Sequence, residues 1–246
     1  MKWEDHRRTT TYVCKLFNFD KETTRRISEA SILPDKEPDY IIVRRKKRTY
    51  RKRVSHHSEE GLETGLKYLK IARKEFVRKG NFETPLGRAL HYFQDYVVGT
   101  EKKLWIFSFR SWDKHDQIER SLPEKIDWKP AREGLESKIY PHQILGVIRE
   151  RGKGDTTPEE VLNLAVYATA LAVKMVVDPY VEGVEENYQK HLKIMLLISL
   201  LSFLSGLIAL GLNLGGVLAG LFLILVSYVL NLPFRRARFD YKWWKP

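Results

Sequence analysis

Between Lys193 and Arg235 the chain runs for 41 residues without a charged side chain, IMLLISLLSFLSGLIALGLNLGGVLAGLFLILVSYVLNLPF. One bilayer span needs about 20 apolar residues, so this run has the length of two. LNLGG, Leu212 to Gly216, supplies a turn, and the pattern predicts a helical hairpin over about 194–212 and 215–232. No polar face exists anywhere in the stretch, which argues against a helix buried in a soluble core. His191 and Lys193 flank one end, and Arg235, Arg236, Arg238 and Lys242 the other. Both ends therefore belong on one side of the membrane, and the bias of cations toward the cytoplasm makes that side cytoplasmic. Tyr241, Trp243 and Trp244 suit the interfacial belt. The expected organisation is a domain over residues 1–190 and a membrane hairpin with a basic, aromatic tail over 191–246.

The first part reads as all-α. KETTRRISEASIL follows Asp20, a helix N-cap, and EEGLETGLKYLKIARKEFVRKG carries Leu62, Leu66, Leu69, Ile71, Ala72 and Phe76 as an apolar stripe. PLGRALHYFQDYVVG, WDKHDQIERSL and DTTPEEVLNLAVYATALAVKMVVD continue the helical period. LPDKEPDY and LPEKIDWKPAREG, rich in proline and charge, are loops. A single cysteine, Cys14, excludes an internal disulfide framework and suits a reducing compartment.

Net charge is +12, favouring anionic partners. Its densest part is RRKKRTYRKR, Arg44 to Arg53, with eight cations in ten residues. Such a segment is either a solvated loop or a polybasic patch for anionic lipid, each cation near the surface contributing about 1 kcal/mol. A nucleic-acid signal has no supporting module around it.

The histidines concentrate in the first half: His6, His56, His57, His91 and His115. His91 and Asp95 are one helical turn apart, as are His115 and Glu119, so each pair shares a face. Asp35 follows a helix end, and Asp39 stands four residues on. Imidazole and carboxylate are ligands a cation such as zinc takes. Each pair alone is an ordinary ion pair; the ordered set is what points to metal.

Trp3, His6, Asp35, His56 or His57, HYFQD and HDQIE, together with ETGLKY and LGRALHYFQDY, resemble the zinc-dependent phospholipase C and single-strand nuclease superfamily, on its phospholipase branch. The resemblance covers roughly residues 3–125; the hairpin is outside the family's common core. It implies an all-α cleft holding up to three zinc ions. Asp35, His56 or His57, His91 and Asp95 would form one site, with Asp95 bridging to a second built on His6 and on the amine and carbonyl of an N-terminal tryptophan. A third would use His115, Glu119 and the residue six beyond Asp95. Two departures stand out. Met1 and Lys2 precede Trp3, which removes the terminal amine unless the chain is trimmed, and Glu101 stands where the family has histidine.

The resemblance further implies hydrolysis of phosphate esters by metal-activated water, with Asp35, Asp95 and Asp39 as catalytic candidates, Asp39 either as a base or behind the ligands. The expected function is a membrane-anchored phosphoesterase acting on a phospholipid or another phosphodiester. The alternatives are a nuclease of the same fold and a non-catalytic helical membrane protein with a degenerate metal site.

Overall fold

The computed structural model describes residues 1–45, 48–98, 101–104, 107–110, 117–152, 157–209 and 231–246, with backbone alone for 45, 101–104, 107–110, 203 and 205–209. Helix dominates, as the periodicity predicts. The chain divides into two units, residues 1–139 with 143–179, and residues 140–142 with 180–246.

In the first unit, α1 (Trp3–Leu16) is followed by α2 (Lys21–Ala30), which the Asp20 carboxylate caps by accepting the Glu22 and Thr23 amides. A short α3 (Leu33–Lys36) carries Asp35, which lies after the end of α2, as expected, and inside a helical turn of its own. Two antiparallel strands come next, β1 (Tyr40–Arg45) and β2 (Arg48–Arg53). The described residues of the polybasic segment are therefore the end of β1 and the whole of β2 rather than an irregular loop; 46–47 lie outside the described residues. Then come α4 (Glu59–Val77), α5 (Glu83–Val97), a second hairpin β3 (Glu101–Leu104) and β4 (Phe107–Arg110), α6 (Trp128–Glu136), α7 (Ile144–Arg151) and α8 (Pro158–Val177).

Thr157 and Glu160 close a reciprocal capping box at the start of α8. This helix is long and apolar enough to cross a membrane, yet 72% of its apolar window is buried inside the protein. It packs on α1, α4, α5, α6 and α7, so its composition here serves a core. The second central helix is α5, against α2, α4 and α8. Gly87 lets α2 and α5 touch: a Cβ there would come within 2.4 Å of the Ala30 Cβ and 2.6 Å of the Ile27 carbonyl. On α4 the expected stripe holds at Leu62, Leu69 and Ala72, but Ile71 is 47% exposed, because two residues of helix turn it about 200° away from Leu69; Arg73, buried on this helix, donates to the Val176 carbonyl at the end of α8.

In the second unit, α9 (Val184–Ala209) and a closing helix α10 over 231–244 meet at their polar ends. Tyr188 stacks on Tyr241 at 4.4 Å and on Phe234 at 6.1 Å, and Lys245 pairs with Glu185 at 3.2 Å. His142 binds Asp240 at 2.6 Å. Further along α9, Leu196, Leu197, Leu200, Leu201 and Leu204 are all exposed. The predicted turn, the end of the first predicted span and nearly all of the second lie outside the described residues.

Candidate metal centre

Ten of the fifteen residues of α5 are buried, among them three polar ones in a row of turns: His91, Gln94 and Asp95. Burying a carboxylate and an imidazole is costly unless each finds partners. Those partners arrive from α1 (His6), α3 (Asp35), the segment after β2 (His56, His57), the turn at 117–120 (Glu119) and the amine of Met1.

Asp95 sits at the centre and divides them. Its Oδ2 is 3.3 Å from His91 Nε2 and 3.3 Å from His56 Nδ1. The same two nitrogens stand 2.9 Å from each other, and 3.7 and 3.4 Å from Asp35 Oδ1. Five of the six separations among these four atoms thus fall between 2.9 and 3.7 Å. Ligand bonds of about 2.0–2.1 Å in a tetrahedron place neighbouring ligand atoms roughly 3.4 Å apart, so Asp35, His56 and His91 are spaced as three ligands of a zinc-sized cation would be, with Asp95 Oδ2 against both histidines.

The other oxygen, Asp95 Oδ1, faces a second set: His6 Nε2 at 3.2 Å and the Met1 amine at 2.5 Å. That amine also lies 2.7 Å from Glu119 Oε1. The amine expected to be missing without trimming is present: Met1, two residues before Trp3, delivers it. A third group joins His57, Asp95 and Glu119. Both histidines of the pair therefore enter the cluster, in different groups.

Hydrogen bonds behind the ligands orient them. His91 Nδ1 donates to the Ser31 carbonyl at 2.8 Å and His57 Nδ1 to the Asp95 carbonyl at 2.6 Å. A carbonyl only accepts, so each ring turns a lone pair at Nε2 inward. His6 is set by a longer relay. The Thr169 hydroxyl donates to the Ala165 carbonyl and so accepts from the Gln94 amide at 2.9 Å, which also donates to Thr10. Gln94 Oε1 is left to accept from His6 Nδ1 at 2.6 Å. Among the described residues His6 Nε2 is buried without a hydrogen-bond partner, a lone pair facing a carboxylate. A cation between them resolves that repulsion.

The electrostatics follow from burial and crowding. Burial alone would raise the Asp95 carboxyl, but the Met1 ammonium and the imidazoles of His57, His91 and His6 outweigh it and hold it well below the usual range. His56 is opposed by burial yet pushed up to about 9 by Asp35 and Asp95. His91 goes the other way, lowered by burial and by His6. Burial lowers the Met1 amine, and Asp95 and Glu119 more than compensate.

Of the remaining predicted residues, Asp39 stands apart from these groups. Its carboxylate accepts the Tyr68 hydroxyl at 2.5 Å, the Tyr92 hydroxyl at 2.7 Å and Arg88 at 3.3 Å. His115 and the Glu101 side chain lie outside the described residues; the Glu101 backbone opens β3 opposite Arg110. Trp3 donates its indole N–H to Asp35 Oδ2 at 2.9 Å, steadying that ligand. Gln94, Thr10 and Thr169 were not predictable from ligand spacing alone. The one sequence signal for Gln94 is its place three residues after His91 and one before Asp95, on an otherwise apolar helix.

Comparison of the chain with family models, with curated proteins and with solved structures returned no match. The functional reading rests on the residues themselves.

Proposed function

We propose that this chain is a membrane-anchored, metal-dependent phosphoesterase that hydrolyses a phospholipid or another phosphodiester. The observation that carries the reading is the convergence of Asp35, His56 and His91 into one group, with Asp95 turning one oxygen to both of these histidines and the other to His6 and the Met1 amine. Two histidines and two carboxylates suit zinc. The first ion would be held by those four residues, a second by Asp95, His6, Glu119 and the Met1 amine, with His57 beside them.

Divalent cations bound as a pair supply Lewis acidity and lower the pKa of water for in-line displacement at phosphorus. The protein's own part is orientation. Ser31, Gln94 and the Asp95 carbonyl hold three imidazoles with their lone pairs inward, so no rotamer has to change when substrate arrives. Asp95, kept ionised by its cationic neighbours, ties the two halves of the site together.

Membrane anchorage is supported by two features. The five exposed leucines of α9 lie in the charge-free run, and the residues that lead into that run, around Tyr188, pack against those that follow it, Phe234 and Tyr241. A chain that departs and returns to the same place over that length accommodates a two-span hairpin with both ends on one side.

The test is metal content by plasma mass spectrometry on the full chain in detergent, purified without chelators. His91→Ala is run in parallel, and both are assayed on chromogenic phosphodiesters and phosphomonoesters. Bound zinc and turnover, both lost in the variant, are the expected result. A wild type that folds without metal, or a variant that keeps its turnover, would sink the proposal.

A further inference from the structure

The hairpin β1–β2 leaves the body of the unit between two members of the cluster, starting five residues after Asp35 and ending three residues before His56. Its base is fixed. The Val54 amide donates to the Asp39 carbonyl at 2.9 Å, Val54 is 2% exposed, and the Asp39 carboxylate is held by Tyr68, Tyr92 and Arg88.

The register sorts the side chains into two faces. Tyr40, Ile42 and Arg44 on β1 stand opposite Arg53, Arg51 and Thr49 on β2. Ile41 and Val43 stand opposite Lys52 and Tyr50 on the reverse face. The reverse face turns toward the protein: Lys52 pairs with Glu60 of α4 at 2.7 Å, and Ile41 and Val43 are half-buried. The outer face has no such cover. Ile42 is 71% exposed, and Arg44, Arg51 and Arg53 around it are exposed, with no ion pair to a carboxylate among the described residues.

We propose that this outer face docks on the surface of an anionic phospholipid bilayer, Ile42 entering the interface while Arg44, Arg51 and Arg53 meet lipid phosphates and Tyr40 sits at headgroup depth. Charge complementarity gives the sign of the partner, and the apolar centre gives its kind. A single-stranded nucleic acid satisfies arginines equally well but needs aromatic faces for its bases to stack on. Here the most exposed residue is aliphatic, and one face of the Tyr40 ring is already covered by the Arg51 guanidinium at 4.7 Å. A bilayer uses both properties: guanidinium–phosphate contacts around an apolar side chain that leaves water. The proposal rests on the membrane reading above for the source of the phosphate, but not on catalysis.

The experiment uses the full chain reconstituted in vesicles, with Ile42→Cys carrying an environment-sensitive fluorophore. Cys14 is buried, so the label goes to position 42. In phosphatidylcholine vesicles containing phosphatidylglycerol, emission should shift to the blue and be quenched by spin-labelled lipid. Both effects should be lost in pure phosphatidylcholine, at high salt, and when Arg44, Arg51 and Arg53 are replaced by Glu. Replacement of the three by Gln serves as a milder variant should the Glu form fail to fold, and should reduce the shift. No shift with anionic lipid, or an equal shift in the substituted forms, overturns the proposal. A shift produced by an added single-stranded oligonucleotide and not by anionic lipid overturns it in favour of nucleic acid. Because nothing is hydrolysed in the assay, failure of the phosphoesterase reading is seen separately.

Discussion

Two histidine–carboxylate arrangements in this protein use the same chemistry to opposite ends. In the second unit, His142 Nδ1 meets Asp240 Oδ2 at 2.6 Å while Asp240 Oδ1 accepts the His142 backbone amide at 2.9 Å. Donors and acceptors balance, and the pair ties the segment around His142 to α10. Around Asp95, four imidazoles and the carboxylates of Asp35 and Glu119 converge on one buried carboxylate, three of the rings holding their hydrogen on the outward nitrogen. Side-chain acceptors outnumber side-chain donors there, and without metal the Met1 ammonium and a protonated His56 make up the difference; a bound cation would take their place. That side-chain imbalance, more than the presence of a His–Asp pair, marks a candidate metal centre.

The contrast is broken most severely at the two aspartates. Asp95→Asn should release all bound metal and abolish turnover, whereas Asp240→Asn should keep the full metal content; equal metal loss in the two would show that the imbalance has no meaning. The next effect in size is at Gln94. Gln94→Leu removes the acceptor that orients His6, and by analogy with other ligand-supporting partners should weaken metal binding by about 10–100-fold. Competition with a fluorescent chelator measures this, and an unchanged affinity would make the relay through Thr169 irrelevant. Asp240→Asn itself should cost about 1.5–3 kcal/mol in a denaturant titration, the usual scale for hydrogen bonds to a charged group.

The smallest effect is in pH. The His56 imidazole has its ordinary value of 6.5 raised to about 9. A raised value means the folded metal-free protein is stabilised by this cation below pH 6.5, and that this contribution is lost as pH rises through about 9. Metal must displace the same proton, so affinity should rise over the same window. Melting temperatures of metal-free and zinc-loaded protein should therefore diverge as pH increases; parallel curves would mean that His56 is not a ligand.

Much of the frame was legible from local pattern, because caps and helical period act over a few residues. Asp20 and, within the apolar stripe of α4, Leu62, Leu69 and Ala72 did what spacing predicts, and His91 with Asp95 share a face because one turn separates them. The two hairpins were missed. β1 alternates only weakly, YIIVRR, and four of the six residues of β2 are cationic, so neither carries the half-buried signal of an ordinary strand. Ile71 was misplaced because two residues of helix turn it about 200° from Leu69 and out of the stripe; the burial of Arg73 depends on the carbonyl of Val176, more than a hundred residues away. The apolar composition of α8 gives no sign of whether protein or lipid surrounds it.

What the sequence determined by itself is the order of ligand types, the helices that carry them and the long charge-free run, since these depend on residue identity and near neighbours. Only the tertiary structure decided that His56 and His57 serve different groups, that Met1 brings its amine to Asp95, and that Gln94 sets the tautomer of His6. Those outcomes rest on groups brought together across 38, 94 and 88 residues of chain. Nothing in local spacing specifies such contacts; they form because burying α5 against its neighbours leaves its polar groups no other partners.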